Sequence, residues 1–198
     1  MVSALHPSGL NRRRAYPLVR YQIDRNDRIC FVNQAFSDFA SDNDAFDLVG
    51  DAILGRALWE FITDETVCAL NKMLILKARR THRVVSFPCR CDSPELLRSM
   101  EMVILPLDHG TLEFQCRIVR QQIRSLRKLW GRQARPAPVS LRVCSWCNKV
   151  DIGGDNWQEL DWLLAQRPLL DEEPPLSLTH GACPECCRVI KNQIVLTG

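Results

Sequence analysis

The residues with the clearest chemical pattern are four cysteines in two pairs, with two residues between the members of each pair. Cys144 and Cys147 form the first pair, Cys183 and Cys186 form the second, and 35 residues lie between the pairs. A C-x-x-C turn lets two thiolates bind one metal ion at about 2.3 Å, and two such turns complete a tetrahedron. The spacing therefore predicts a structural zinc site with these four cysteines as ligands.

Two further residues near the second pair leave the ligand set open. His180 precedes Cys183 by three residues, and Cys187 directly follows the second pair. We expect His180 to donate a hydrogen bond to a thiolate or a carbonyl, and Cys187 to lie on the apolar face of a helix that begins at Pro184. The alternatives are a site that includes His180 or Cys187, and a segment without metal.

The remaining composition indicates a soluble globular protein. Ten cysteines in 198 residues are fewer than a disulfide scaffold contains. No stretch approaches the roughly 20 apolar residues of a membrane helix, and residues 1–14 lack the apolar region of a secretory signal. These observations predict a cytoplasmic protein without a membrane partner. Cys30, Cys68 and Cys116 fall on apolar faces of predicted elements, where cysteine behaves as a small hydrophobe.

The elements before residue 120 predict an α+β fold. Apolar and polar residues alternate at the start of 19–32, which predicts a strand hairpin. Asn33 is a good N-cap for a first helix, and Thr63 can cap a second. Three strand-like runs follow, at 81–88, 100–107 and 111–119. This order predicts an antiparallel sheet with helices on one face.

Three stretches of this part, 21–24, 29–36 and 54–62, carry a family pattern in their order and spacing. They resemble the opening of PAS domains, and the resemblance covers roughly residues 16–120. Because PAS domains sense small molecules or mediate protein contacts, the resemblance implies a sensory or interaction domain. Four aromatic residues of this part are candidates for lining a ligand pocket: Phe36, Phe39, Trp59 and Phe61.

Two kinds of PAS chemistry are not expected in this chain. Flavin photosensors of the light-oxygen-voltage type carry a reactive cysteine shortly after a Gly-Arg pair, whereas Gly55 and Arg56 are followed by Ala57 and Leu58. Haem-binding PAS domains usually place a histidine on the long helix, and 64–78 contains none. The resemblance therefore implies binding by shape or contact with a protein partner of a signalling pathway.

A basic segment connects the two parts. Seven Lys and Arg residues and no acid occur between 117 and 141. Apolar residues recur at helical spacing, which predicts a basic linker helix over 117–135: Val119, Ile123, Leu126 and Trp130. Such a stripe attracts nucleic acid or an acidic protein face. In PAS proteins a helix leaving the sheet commonly packs on a second subunit, so the resemblance also implies a homodimer.

Residues 142–195 are predicted to form a separate cysteine-rich, zinc-binding module. Asn156 and the residues after it predict a helix between the two cysteine pairs. Three stretches carry a second family pattern: 143–150, 156–160 and 179–186. They resemble a short cysteine module appended to bacterial PAS-containing and response-regulator signalling proteins, which implies a bacterial signalling context.

The sequence thus predicts a non-enzymatic signal-transduction or regulatory protein, in which a PAS-like domain is coupled to a structural zinc module. No phosphate-binding glycine loop or kinase signature is present. One alternative is a nucleic-acid-binding regulator that places 117–135 on phosphate. The other is a thiol oxidoreductase, which needs its C-x-x-C pair at the start of a helix that follows a strand. Residues 168–179 before Cys183 do not look strand-like.

Overall fold

The computed structural model describes residues 17–42, 45–92, 96–123, 140–162 and 177–195. Five strands of the first three ranges form one sheet: β1 (Val19–Ile23), β2 (Ile29–Val32), β3 (Val85–Arg90), β4 (Leu96–Pro106) and β5 (Leu112–Ile123). Their order across the sheet is β2-β1-β5-β4-β3, and every neighbouring pair is antiparallel. The predicted hairpin and the predicted α+β arrangement are confirmed.

Two α-helices separate the hairpin from the last three strands: α1 (Gln34–Asp42) and α2 (Glu65–Thr81). The predicted cap of α1 is confirmed, because Asn33 Oδ1 accepts a hydrogen bond from Phe36 N at 3.0 Å. The cap of α2 is Asp64, whose Oδ1 accepts from Val67 N at 2.9 Å, and not Thr63 as the sequence suggested. A carboxylate at this position also interacts favourably with the positive end of the helix dipole.

The core lies between α2 and one face of the sheet. Leu70, Leu74 and Ala78 recur at helical spacing along α2 and are buried. They belong to one buried cluster that includes the sheet residues Ile23, Val85, Phe87, Ile104, Leu112 and Phe114. On the opposite face, Gln22 Nε2 donates to Glu113 Oε2 at 2.8 Å. The alternation of apolar and polar side chains along the strands therefore places the helices on one face only.

Residues 117–123 form the end of β5 and are not helical, so the predicted linker helix is wrong for this part. β4 provides backbone partners along the whole of β5, from Pro106 opposite Leu112 to Leu96 opposite Ile123. Ile123, whose spacing suggested an apolar helix face, is 86% exposed. A strand of this length needs the long strand β4 beside it, and the helical spacing in the sequence does not reveal that partner. The rest of 117–135 lies outside the described residues.

The cysteine-rich part forms a second, mixed sheet and a helix. Its elements are β6 (Ser140–Cys144), β7 (Lys149–Asp151), β8 (Trp157–Glu159), β9 (Ser177–Gly181) and α3 (Pro184–Val195). The strand order is β8-β7-β6-β9, and β6 pairs with β9 in parallel. The predicted start of a helix at Pro184 is confirmed.

Two predictions about this second sheet are wrong. The helix expected after Asn156 does not begin there, because 157–159 pairs with β7 as strand β8 and helical backbone starts only at Leu160. Residues 177–179 belong to β9, although the sequence before Cys183 did not look strand-like. Both strands depend on neighbours in the sheet, and residues 163–176 lie outside the described part of the chain.

The two parts of the chain share one buried core. Cys144, Trp146 and Ile190 belong to the same cluster as the buried residues of α2 and the first sheet. Arg90 Nη1 pairs with Glu159 Oε2 at 2.8 Å, and Lys77 Nζ donates to the carbonyl oxygen of Gln193. Among the helices that the structure describes, none has the length and apolar character to cross a membrane.

Candidate metal centre

The structure brings all four predicted cysteines together. Their Sγ atoms lie within 4.8 Å of one another, and the Sγ atoms of Cys147 and Cys183 are 3.7 Å apart. Cys144 and Cys183 are buried, whereas Cys147 and Cys186 are half-buried. The group thus sits at the surface of the shared core with two members facing partly outward. Four thiol groups this close together could hold one four-coordinate metal ion.

The elements that hold the cysteines also supply hydrogen bonds to sulfur. Cys144 ends β6, and the turn after it is closed by Asn148 N, which donates to the carbonyl oxygen of Cys144 at 2.9 Å. Cys183 N donates to Cys144 Sγ at 3.3 Å, and Cys186 N donates to Cys183 Sγ at 3.3 Å. Hydrogen bonds from backbone amides favour the thiolate over the thiol. The turn and the start of α3 therefore stabilise negative charge on the sulfur atoms.

Hydrogen bonds among the thiols shift their pKa values in opposite directions. Hydrogen bonds from the Cys147 and Cys186 thiols lower the pKa of Cys144. Its role as acceptor in turn raises the pKa of Cys147 to about 12 and raises the pKa of Cys186. The cluster by itself therefore favours one thiolate and keeps protons on two of its partners. A divalent cation at the centre would allow all four sulfur atoms to be ionised.

His180 and Cys187 lie outside the group of four. His180 is on β9 and is exposed. Cys187 Sγ points to the carbonyl oxygen of Ala182, 3.9 Å away, and burial raises the pKa of its thiol. Within the described residues, the cluster therefore has four sulfur atoms and no imidazole.

A cavity of about 510 Å³ lies beside the four-cysteine cluster, between the first sheet, α1 and the cysteine-rich part. Three of the four aromatic residues proposed as pocket lining are on its wall: Phe36, Phe39 and Phe61. Trp59 is not, because its Nε1 donates to Asp27 Oδ2 at 3.0 Å and Lys72 Nζ lies 5.0 Å from its ring. These contacts hold Trp59 away from the cavity wall.

The sequence reasoning missed most of the cavity. One wall is the helix-facing side of the sheet, and its lining residues are Tyr21, Phe87, Cys89, Met100, Met102, Phe114 and Cys116. Tyr21 stacks on Phe114 with ring centroids 4.6 Å apart, and burial raises the pKa of its hydroxyl. The alternation along β1 and β5 was the available signal, because residues two apart on a strand share a face.

The three cysteines predicted to lie on apolar faces, Cys30, Cys68 and Cys116, differ in burial. Cys116 is buried, as its apolar position predicted, and a hydrogen bond with Cys89 is the main cause that raises its pKa. Cys68 is half-buried. Cys30 is exposed, so the expectation that it lies on a buried apolar face is wrong. It alternates along β2 with Ile29, which is the residue that packs into the core.

No protein-family model matches the sequence, and no curated protein matches it. Among solved structures, it is similar to a domain of an HTR-like protein from Haloarcula marismortui, at 15% identity and a TM-score of 0.39, over 52% of this chain and 98% of that chain. A second is the PAS domain of Bordetella pertussis BvgS, at 16% identity and a TM-score of 0.37, over 52% and 73%. A third is a sensory box sensor histidine kinase from Vibrio cholerae, at 12% identity and a TM-score of 0.39. The match covers 54% of this chain and 84% of that chain.

Proposed function

We propose that this chain is a non-enzymatic, cytoplasmic signal-transduction protein of bacterial type, in which a PAS-like domain is fixed to a zinc-stabilised module and acts through a protein partner. The proposed zinc site rests on the convergence of four Sγ atoms within 4.8 Å of one another. The proposed sensory role is supported by the sequence resemblance to PAS domains and by the cavity of about 510 Å³ against the sheet.

The spacing of the sulfur atoms fits zinc. A tetrahedron with Zn–S bonds of about 2.3 Å has sulfur–sulfur edges of about 3.8 Å. The Sγ atoms of Cys147 and Cys183 are 3.7 Å apart. Four cysteine ligands leave no open coordination position, so the ion would have a structural role. It would join β6 to α3 and thereby hold both against the first sheet.

The test is the metal content of the purified full chain and of single-cysteine variants. We expect about one zinc per chain, because a four-cysteine site binds one ion. Cys144→Ser and Cys183→Ser should lose most of it. Cys187→Ser is the matched control, since Cys187 is in the same helix as Cys186 but points to a carbonyl oxygen. Full zinc in Cys144→Ser, or intramolecular disulfides in natively isolated protein, would contradict the proposal.

A thiol oxidoreductase is the second candidate, favoured by one observation. Strand β9 leads through Cys183 into α3, which is the strand-to-helix setting that a redox C-x-x-C pair needs. Cys144 and Cys183 are at most 1% exposed, so a substrate disulfide cannot reach either one. The more accessible members, Cys147 and Cys186, belong to different pairs. These two facts favour the metal site over dithiol exchange.

Measuring thiol reactivity separates the two candidates. A structural zinc protects its ligands, so a thiol reagent should modify the four cysteines only after a chelator has removed the metal. A redox pair would react at once in the reduced protein and would cycle between dithiol and disulfide with a reduced thioredoxin-type donor. Rapid modification of Cys147 in zinc-containing protein would support the oxidoreductase.

A further inference from the structure

The third wall of the cavity is made by the metal-binding loop itself. Ser145 and Trp146 are the two residues between the first pair of cysteines, and both line the cavity. His180, three residues before Cys183, lines it as well. Trp146 is only 5% exposed, so its side chain is enclosed between the two parts of the chain. The cavity is therefore closed on this side by residues whose positions depend on the cysteine cluster.

We propose that the cavity binds a neutral, mainly apolar molecule, and that this binding is thermodynamically linked to metal occupancy of the four-cysteine centre. The linkage rests on the proposed function, because it requires the metal. It goes further by assigning a ligand class to the cavity and a regulatory role to the loop Cys144–Cys147.

The lining sets the ligand class. Most of the lining side chains are aliphatic, aromatic or sulfur-containing. The two charged groups of opposite sign on the wall already have partners: Asp64 pairs with Arg142, and Arg90 pairs with Asp92 and Glu159. Neither of these two groups is an unpaired counter-ion, so a charged ligand beside them would lose its hydration without compensation. A neutral molecule avoids this cost.

Polar side chains also line the cavity, and one of them is Tyr21. The hydroxyl of Tyr21 makes no hydrogen bond with the described residues, although the ring is held by Phe114 and Phe36. A phenolic hydroxyl can donate or accept one hydrogen bond. A ligand with a single hydroxyl or carbonyl group would pair with it, while the rest of the ligand is buried against apolar side chains.

The loop provides the physical linkage. Cys144 and Cys147 are the two ends of the segment that carries Trp146, and Ser145 N donates to the carbonyl oxygen of Gly181 at 2.9 Å. A metal held by both ends and by Cys183 would fix the loop and β9 in one arrangement. Removal of the metal frees both, so the wall must be ordered again when the ligand binds. Linkage is reciprocal, so the ligand must strengthen metal binding by the same factor.

The experiment uses the full chain and 2-naphthol, a neutral two-ring aromatic with one hydroxyl, followed by its fluorescence. We expect saturable binding to the zinc-loaded protein that is at least tenfold weaker after reduction and chelation of the metal. Zinc affinity, measured by chelator competition, should rise by the same factor in saturating 2-naphthol. Tyr21→Phe should weaken binding about fivefold, the loss of one neutral hydrogen bond.

Two variants test the cavity in zinc-loaded protein, in case removal of the metal partly unfolds the chain. Met102→Trp fills the cavity from the sheet and should abolish 2-naphthol binding while zinc content stays unchanged. Met73→Trp is the matched control, because Met73 on α2 is 42% exposed and does not line the cavity. Equal affinity with and without zinc, no saturable binding, or full binding by Met102→Trp overturns the inference. Loss of zinc binding in the unaltered chain would instead overturn the proposed function.

Discussion

Arg142 Nη2 lies 3.3 Å from Asp64 Oδ2, while the other carboxylate oxygen of Asp64 accepts a hydrogen bond from Val67 N at 2.9 Å. One side chain therefore begins α2 and also holds the cysteine-rich part against the first sheet. Arg142 is on β6, two residues before the first cysteine of the metal centre. The guanidinium also lies 5.8 Å from the ring of Trp157 on β8. The junction between the two parts is thus built around a helix cap.

Substitution of Asp64 should separate its two roles. Asp64→Asn keeps a good cap but loses the charge, and we expect it to lower the free energy of unfolding by less than about 1 kcal/mol, because Arg142 is 41% exposed. Asp64→Ala also loses the cap and should cost about 1 kcal/mol more. Urea unfolding followed by circular dichroism measures both. Equal costs for the two variants would show that the cap contributes nothing.

A methyl group at Gly181 should disturb the same ion pair from β9. A Cβ added there would lie 2.8 Å from Cζ of Arg142, so the guanidinium must move away from Asp64. We expect Gly181→Ala to destabilise the chain, and to cost about 0.5 to 1 kcal/mol less in an Arg142→Ala background, because the displaced group is then absent. A double-mutant cycle by urea unfolding measures this. Additive costs would contradict the predicted displacement.

Zinc binding should release protons. The pKa of Cys147 is raised to about 12 and that of Cys186 is also raised, so both hold protons at neutral pH and must lose them to bind the metal. We expect at least two protons per zinc and an affinity that falls as pH falls. An indicator dye in weak buffer measures the release. One proton or fewer per zinc would show that the cluster is already ionised.

The residues after β5 are predicted to serve either nucleic-acid binding or a homodimer, and these roles need different side chains. Phosphate contacts would give an affinity that falls steeply with salt and requires Arg124 and Arg127. Dimer packing would require Leu126. If Arg124→Glu with Arg127→Glu has no effect while Leu126→Asp yields monomers in sedimentation, the dimer is supported. If only the arginine variant loses salt-dependent binding to nucleic acid, the nucleic-acid role is supported.

Local signals predicted the starts of α1, α2 and α3 to within one residue. Asn33 caps α1, Pro184 opens α3, and the cap of α2 is one residue from the predicted Thr63. A cap is a contact between residues about three positions apart, so its chemistry is visible in the sequence. The same holds for the two C-x-x-C turns, since each brings its own two sulfur atoms together.

Strands were predicted less well where they depend on distant partners. The spacing of Val119 and Ile123 fits a helix as well as the end of a strand, and only the eleven residues of β4 decide for the strand. Residues 157–159 likewise become strand because β7 lies beside them. The backbone bonds that select these conformations join two separate strands, and the side-chain spacing within one segment does not reveal them.

The sequence by itself predicted that the four thiols converge, because the ligand spacing is local to each turn and one ion would bind both pairs. Only the tertiary structure decided where that cluster stands. The ion pair of Arg142 with Asp64 and the burial of Trp146 place it against the first sheet. The cavity follows from the same packing, because its walls come from three parts of the chain and meet only when the shared core forms.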